Sequence, residues 1–172
     1  IISLDKVRQN AYILVGSRYR NYLGTSTSHP MVNLGDERLF YVCSGGTPNS
    51  TMPEYWNGDI NWITLADLSA NDFISEIVST ERTITESGLN NSNAKLLPVN
   101  TVVVSSRVTI GRVGIARIKL ATNQGFKNII IKDTSKVLPE YLAYILTTKR
   151  NEMIRMASGA TFKEISKENR HI

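Results

Sequence analysis

The chain has 172 residues, 20 Lys+Arg against 15 Asp+Glu for a formal charge of +5, and 41% hydrophobic residues. That length buries the core of one ordinary domain without metal or disulfide support, and the single cysteine, Cys43, excludes an internal bridge and fits a reducing cytoplasm. No apolar run approaches the roughly 18 residues of a membrane span, so no membrane is expected among its partners.

In chain order, Leu4–Asn10 suits a short helix with Asp5 near its start. Gly24-Thr-Ser-Thr-Ser-His-Pro30 is polar and turn-rich, as a linker is. From Met31 the pattern changes to short strands and turns. Leu39–Cys43 predicts a strand that ends at the loop Ser44-Gly-Gly-Thr-Pro48. Trp56-Asn-Gly-Asp59 predicts a turn centred on Asn-Gly, and Ile60–Thr64 the strand after it. Thr83–Leu89 predicts a short helix closed by Gly88.

Thr101–Ser105 is a β-branched run suited to a buried strand. Arg112–Ile118 and Phe126–Ile131 predict two more strands, with Thr122-Asn-Gln-Gly125 between them. One long helix is expected from Pro139, where a missing N–H costs nothing. Leu138, Leu142, Ile145, Leu146, Met153 and Met156 repeat at helical spacing, and Gly159 ends it. Met153, Met156, Trp56 and Trp62 read as packing residues. No initiator Met or signal pattern opens the chain, and polar Ser166–Ile172 closes it without a cap. We therefore expect a piece of a longer protein, with 1–31 a separate segment, 32–165 the main domain and 166–172 the start of a further helix.

Charge is unevenly spread. Residues 1–106 carry 7 Lys+Arg and 10 Asp+Glu, a net of −3, whereas residues 107–172 carry 13 and 5, a net of +8. A basic half gains counterion-release free energy on a phosphate backbone.

Catalytic templates are missing. The sequence has no phosphate-binding loop, no G-x-G-x-x-G, no G-x-S-x-G and no Asn-Pro-Pro-Tyr or Asp-Pro-Pro-Tyr methyltransferase loop. Two distant histidines and one cysteine cannot assemble a zinc set. Glu54, Asp59 and Asp67 read as turn and cap residues rather than a Mg²⁺ site. No catalytic residue, cofactor or metal is expected.

Three segments carry groups that read DNA. Ser105-Ser-Arg-Val-Thr-Ile-Gly-Arg112 sets two arginines five apart among small and hydroxylated residues. Arginine fits the O6 and N7 acceptors of guanine, and hydroxyls and backbone N–H groups suit phosphate oxygens. Ala121–Lys127 adds Asn123 and Gln124, whose amides match the adenine edge, although each suits equally a turn that bonds its own backbone. Ser158–Lys163 supplies more hydroxyls and a lysine. Candidate contacts are Arg107, Arg112, Asn123, Gln124 and Lys127, followed by Thr47, Asn57, Thr109, Thr161 and Lys163.

The ordered set Ser44-Gly-Gly-Thr-Pro48, Tyr55–Ile60, Trp62–Thr64, Ile84–Gly88, Ser105–Arg107, Thr109–Gly111, Thr122–Lys127, Pro139–Leu142 and Gly159–Ile165 resembles a target recognition domain of type I restriction–modification specificity subunits over residues 32–168. The resemblance implies an α/β (α+β) fold with a twisted, mostly antiparallel β-region and a few helices. It implies recognition of one half of a split double-stranded DNA target, directing a partner adenine methyltransferase and, in a full complex, a translocating restriction subunit. Departures include Asn61 where the family often has Pro and Val108 where it often has Gly.

Ile2–Asn10, Tyr12–Leu14 and Ser17–Tyr19 resemble the C-terminal tail of the modification subunits. Tail and recognition domain on one polypeptide is the arrangement of fused methyltransferase–specificity proteins. The alternative is therefore the recognition part of a fused adenine methyltransferase–endonuclease, with the activity outside this chain.

Overall fold

A computed structural model describes residues 32–69 and 73–157. The chain divides into the units Ile1–Val32 and Asn33–Ile172, and the second is described here. The segment Leu4–Asn10, the linker, the tail-like motifs, Gly159 and the closing polar segment lie outside the described residues.

Among the described residues eight strands and three α-helices follow in order: β1 (Phe40–Ser44), β2 (Trp56–Ile63), β3 (Ser75–Ile77), β4 (Arg82–Ile84), α1 (Glu86–Asn90), β5 (Val102–Ser105), β6 (Val113–Ala116), β7 (Leu120–Thr122), β8 (Phe126–Ile131), α2 (Pro139–Thr148) and α3 (Arg150–Met156). They build a five-stranded sheet, β1-β8-β5-β6-β3, and a three-stranded sheet, β4-β2-β7. Pairs β1–β8, β5–β8, β5–β6 and β2–β4 are antiparallel, while β3–β6 and β2–β7 are parallel. The fold is thus α+β and mostly antiparallel, as the family resemblance implies.

Strand β5 is central because its side chains alternate between two cores. Val102 and Val104 pack with Phe40, Val113, Ile115 and Ile129 and with Leu142, Ala143, Leu146 and Met153 of the helices. Val103 packs on the opposite face with Ile63, Leu68, Leu97, Leu120 and Phe126, of which Ile63 and Leu120 come from the smaller sheet. A strand covered on both faces reads as an unbroken apolar run, which is why Val102–Val104 is legible without alternation. Each such fully buried side chain contributes roughly 1.5–3 kcal/mol. Trp62, Ile84, Ala94 and Ala121 form a third, smaller core, with Trp56 packed edge-on to Trp62 at 5.1 Å.

Several local expectations are corrected. Trp56–Asp59 is not a free turn but the start of β2, carrying an irregularity between Trp56 and Ile60 that Asn57 accommodates at φ 61. Thr83 belongs to β4, and the helix starts only at Glu86, capped by Thr85, whose hydroxyl accepts from the Gly88 N–H at 3.1 Å. Gly88 lies inside it, where a Cβ would meet the Tyr55 carbonyl oxygen at 2.4 Å.

The long helix is two helices with a joint at Lys149 (φ −89, ψ 1). The hydroxyls of Thr147 and Thr148 donate to the carbonyls of Tyr144 and Ile145, both at 2.7 Å, competing with the helical ladder at that point. Leu146 and Met153 still share one core, so the apolar spacing survives the break. The second helix ends at Met156, with Ala157 extended.

Candidate nucleic-acid interface

Three connections meet at one end of the strands. Residues 45–48 leave β1 in the larger sheet on the way to β2 in the smaller one, and residues 123–125 return from β7 to β8. Residues 106–112 link β5 to β6. Hydrogen bonds tie them together. The Gly46 N–H donates to the Thr122 carbonyl at 2.9 Å, and the Asn123 N–H to Ile63 at 3.2 Å. The Trp62 indole N–H donates to the Gly46 carbonyl at 3.0 Å. The Ser106 N–H and hydroxyl both donate to the Gly125 carbonyl, at 2.8 and 3.1 Å.

Close approach explains the Gly-Gly pair. A Cβ on Gly45 would meet the Thr122 carbonyl oxygen at 2.1 Å, and one on Gly46 the Ala94 nitrogen at 2.3 Å. Beneath the loops, Thr122 and Asn128 are fully buried and bond each other. The β5–β6 loop is held from inside by Ser105, whose Oγ donates to the Thr109 carbonyl and accepts from the Arg112 N–H at 2.9 Å. Arg150 of α3 braces it from outside, its Nε donating to the Ile110 carbonyl at 3.0 Å. Gly111 turns the chain at φ 80, directly against the Arg150 side chain.

Thr47 and Gln124 are exposed, and the Thr47 hydroxyl donates to Oε1 of Gln124. Arg107, Thr109, Arg112, Asn123 and Lys127 are half-buried on the same three connections or their edges. Lys127 donates to the Ser44 hydroxyl at 3.0 Å across the β1–β8 pair. The Asn123 Oδ1 accepts the Gly125 N–H at 2.8 Å, which is the self-bonded turn that its composition allowed. Asn57 is exposed on the irregular start of β2, beside β4, and does not join this hydrogen-bonded cluster. Thr161 and Lys163 lie outside the described residues.

Some groups have other jobs than their residue types suggested. The Ser105 and Ser106 hydroxyls, read as phosphate ligands, are 1% and 0% exposed and bond the loops internally. Lys149 pairs with Glu152 at 3.1 Å. Arg150 escaped notice as a brace because its partner lies 40 residues upstream.

Segments 44–48, 105–112 and 122–127 together contain Arg107, Arg112 and Lys127 and no Asp or Glu. Connections of this composition, with hydroxyl and amide heads beside cations, can bind an extended polyanion and still offer directional donors and acceptors. Among the described residues no group of three or more His, Cys, Asp or Glu side chains could hold a metal, and no helix is long and apolar enough to cross a membrane.

The type I restriction modification DNA specificity domain matches residues 31–169, and the chain belongs to that family. It is 43% identical over 126 residues to the type I restriction enzyme MjaIX specificity subunit of Methanocaldococcus jannaschii, covering 72% of this chain and 28% of that protein. It is 28% identical over 129 residues to the EcoR124I/EcoR124II specificity subunit of Escherichia coli, covering 72% and 30%. The chain therefore spans under a third of the length of these relatives. The crystal structure of the HsdS subunit from Thermoanaerobacter tengcongensis shares the fold, with a TM-score of 0.56 at 16% identity over 81% of this chain and 34% of that one.

Proposed function

We propose that this chain reads one half of a split double-stranded DNA target and so directs adenine methylation and cleavage by partner subunits or domains. The observation that carries the reading is the convergence of three hydrogen-bonded connections bearing Arg107, Thr109, Arg112, Asn123, Gln124, Lys127 and Thr47 without a carboxylate. Arg107 and Gln124 read base edges, and Lys127 and Arg112 hold phosphates. Residues 32–165 form the recognition domain, and 1–31 lead into it. Family membership and the lack of a methyl-transfer loop support a chain that is not catalytic in itself.

Selection of duplexes from a random library, followed by titration of the enriched and a scrambled duplex at low salt, tests this. Enrichment of one sequence, bound more tightly than its scrambled form, is expected. Equal binding to every duplex, or methyl transfer from S-adenosylmethionine by this chain alone, contradicts the reading.

A further inference from the structure

We infer that Val108 is a specificity-determining residue whose side chain reads the C5 methyl group of a thymine in the major groove. The inference rests on the DNA-recognition reading above and deepens it. Val108 is 74% exposed, the highest value for any large hydrophobic side chain among the described residues. Its backbone lies at φ 57, in the left-handed region that β-branched residues avoid. A turn alone would be better served there by glycine or asparagine, neither of which shows an apolar side chain to water.

The conformation persists because its surroundings leave the loop no other. Ser105 bonds Thr109 and Arg112, Ser106 bonds Gly125, and Arg150 bonds Ile110, so the segment is fixed on both sides of residue 108. The result is a rigid apolar tip between Arg107 and Thr109, in a segment without Asp or Glu. Most groups that the major groove offers are hydrogen-bond donors or acceptors. The thymine methyl is the apolar one, and a branched aliphatic side chain flanked by a cation and a hydroxyl matches it. Arg112 and Lys127, on phosphates in that reading, hold the loop close enough for that contact to be made.

The test uses the duplex enriched from a random library by the whole chain, with each thymine replaced singly by deoxyuridine, which removes only the methyl. The unmodified protein is expected to lose about three- to fivefold in affinity at one thymine, the worth of one methyl taken out of water. In V108G that replacement should have no effect, while the losses caused by replacing other bases stay as they were. The melting temperature of V108G should match or exceed the parent's, because glycine is relaxed at this φ. V108N repeats the comparison should V108G fold poorly, because asparagine tolerates this φ and offers no apolar tip.

Deoxyuridine duplexes that all bind like their parent, a loss on that replacement as large in V108G or V108N as in the unmodified protein, or an enriched sequence of G·C pairs alone would overturn the role of Val108 and leave DNA recognition standing. If no sequence is enriched, both fall.

Discussion

The Asn128 amide donates to the Thr122 hydroxyl at 2.8 Å with both side chains fully buried, directly under the backbone that carries Asn123 and Gln124. The Thr122 hydroxyl also lies within 3.2 Å of Asn128 Oδ1. This pair seats the connection between the two sheets. Thr122→Val keeps the shape and leaves the buried Asn128 amide with the Cys43 thiol in place of a hydroxyl, so chemical denaturation should show a loss of about 1–3 kcal/mol. Adding Asn128→Leu should return part of that loss, because a buried pair removed together leaves no orphan amide. A strictly additive double variant would mean that the two residues do not depend on one another.

Arg117 joins three elements. Its guanidinium bonds both carboxylate oxygens of Glu76 in β3, the Asn100 amide oxygen at 2.8 Å and Glu140 in the first turn of α2 at 2.6 Å. The hydrogen bond from Arg117 holds the Glu140 carboxyl below its ordinary value of 4.5. A depressed carboxyl contributes stability that is complete above 4.5 and is lost as the pH falls through the lower folded value. Arg117→Met should return the Glu140 titration towards 4.5, read by carboxyl NMR, and flatten that part of the acid stability profile. An unmoved titration would remove Arg117 as the cause.

Lys127 separates phosphate anchoring from base reading. It lies at the end of β8, tied to Ser44, and offers a point charge rather than a fork. Lys127→Ala should weaken enriched and scrambled duplexes alike and lower the salt slope by about 0.9. A loss confined to the enriched duplex would make it a base reader instead.

The parts of this fold that were legible in sequence are those whose signal is local. Val102–Val104 and Phe126–Ile131 announce themselves by apolar β-branched runs, and Pro139 marks a helix start. Strands β3, β4 and β7 are three residues each, too short for any period, and they exist because β6 and β2 pair with them. The joint at Lys149 depends on two threonine hydroxyls turning back on the ladder, which composition alone does not announce. At the site, the chemistry of Arg107, Gln124 and Lys127 could be read from residue type. That Ser105, Ser106 and Arg150 shape the loops could not, since their partners include backbone atoms brought close only by the fold.

Base reading by the β5–β6 loop centres on Arg107. Its loop backbone is fixed by Ser105, Ser106 and Arg150, and the arginine fork it carries has the shape that addresses a guanine edge. Anisotropy titrations of Arg107→Ala at low salt, on the enriched and the scrambled duplex, should show a loss of about 1–3 kcal/mol on the first and much less on the second. Equal losses on both would contradict a base-reading role for this loop and leave Arg107 a phosphate contact or a structural residue.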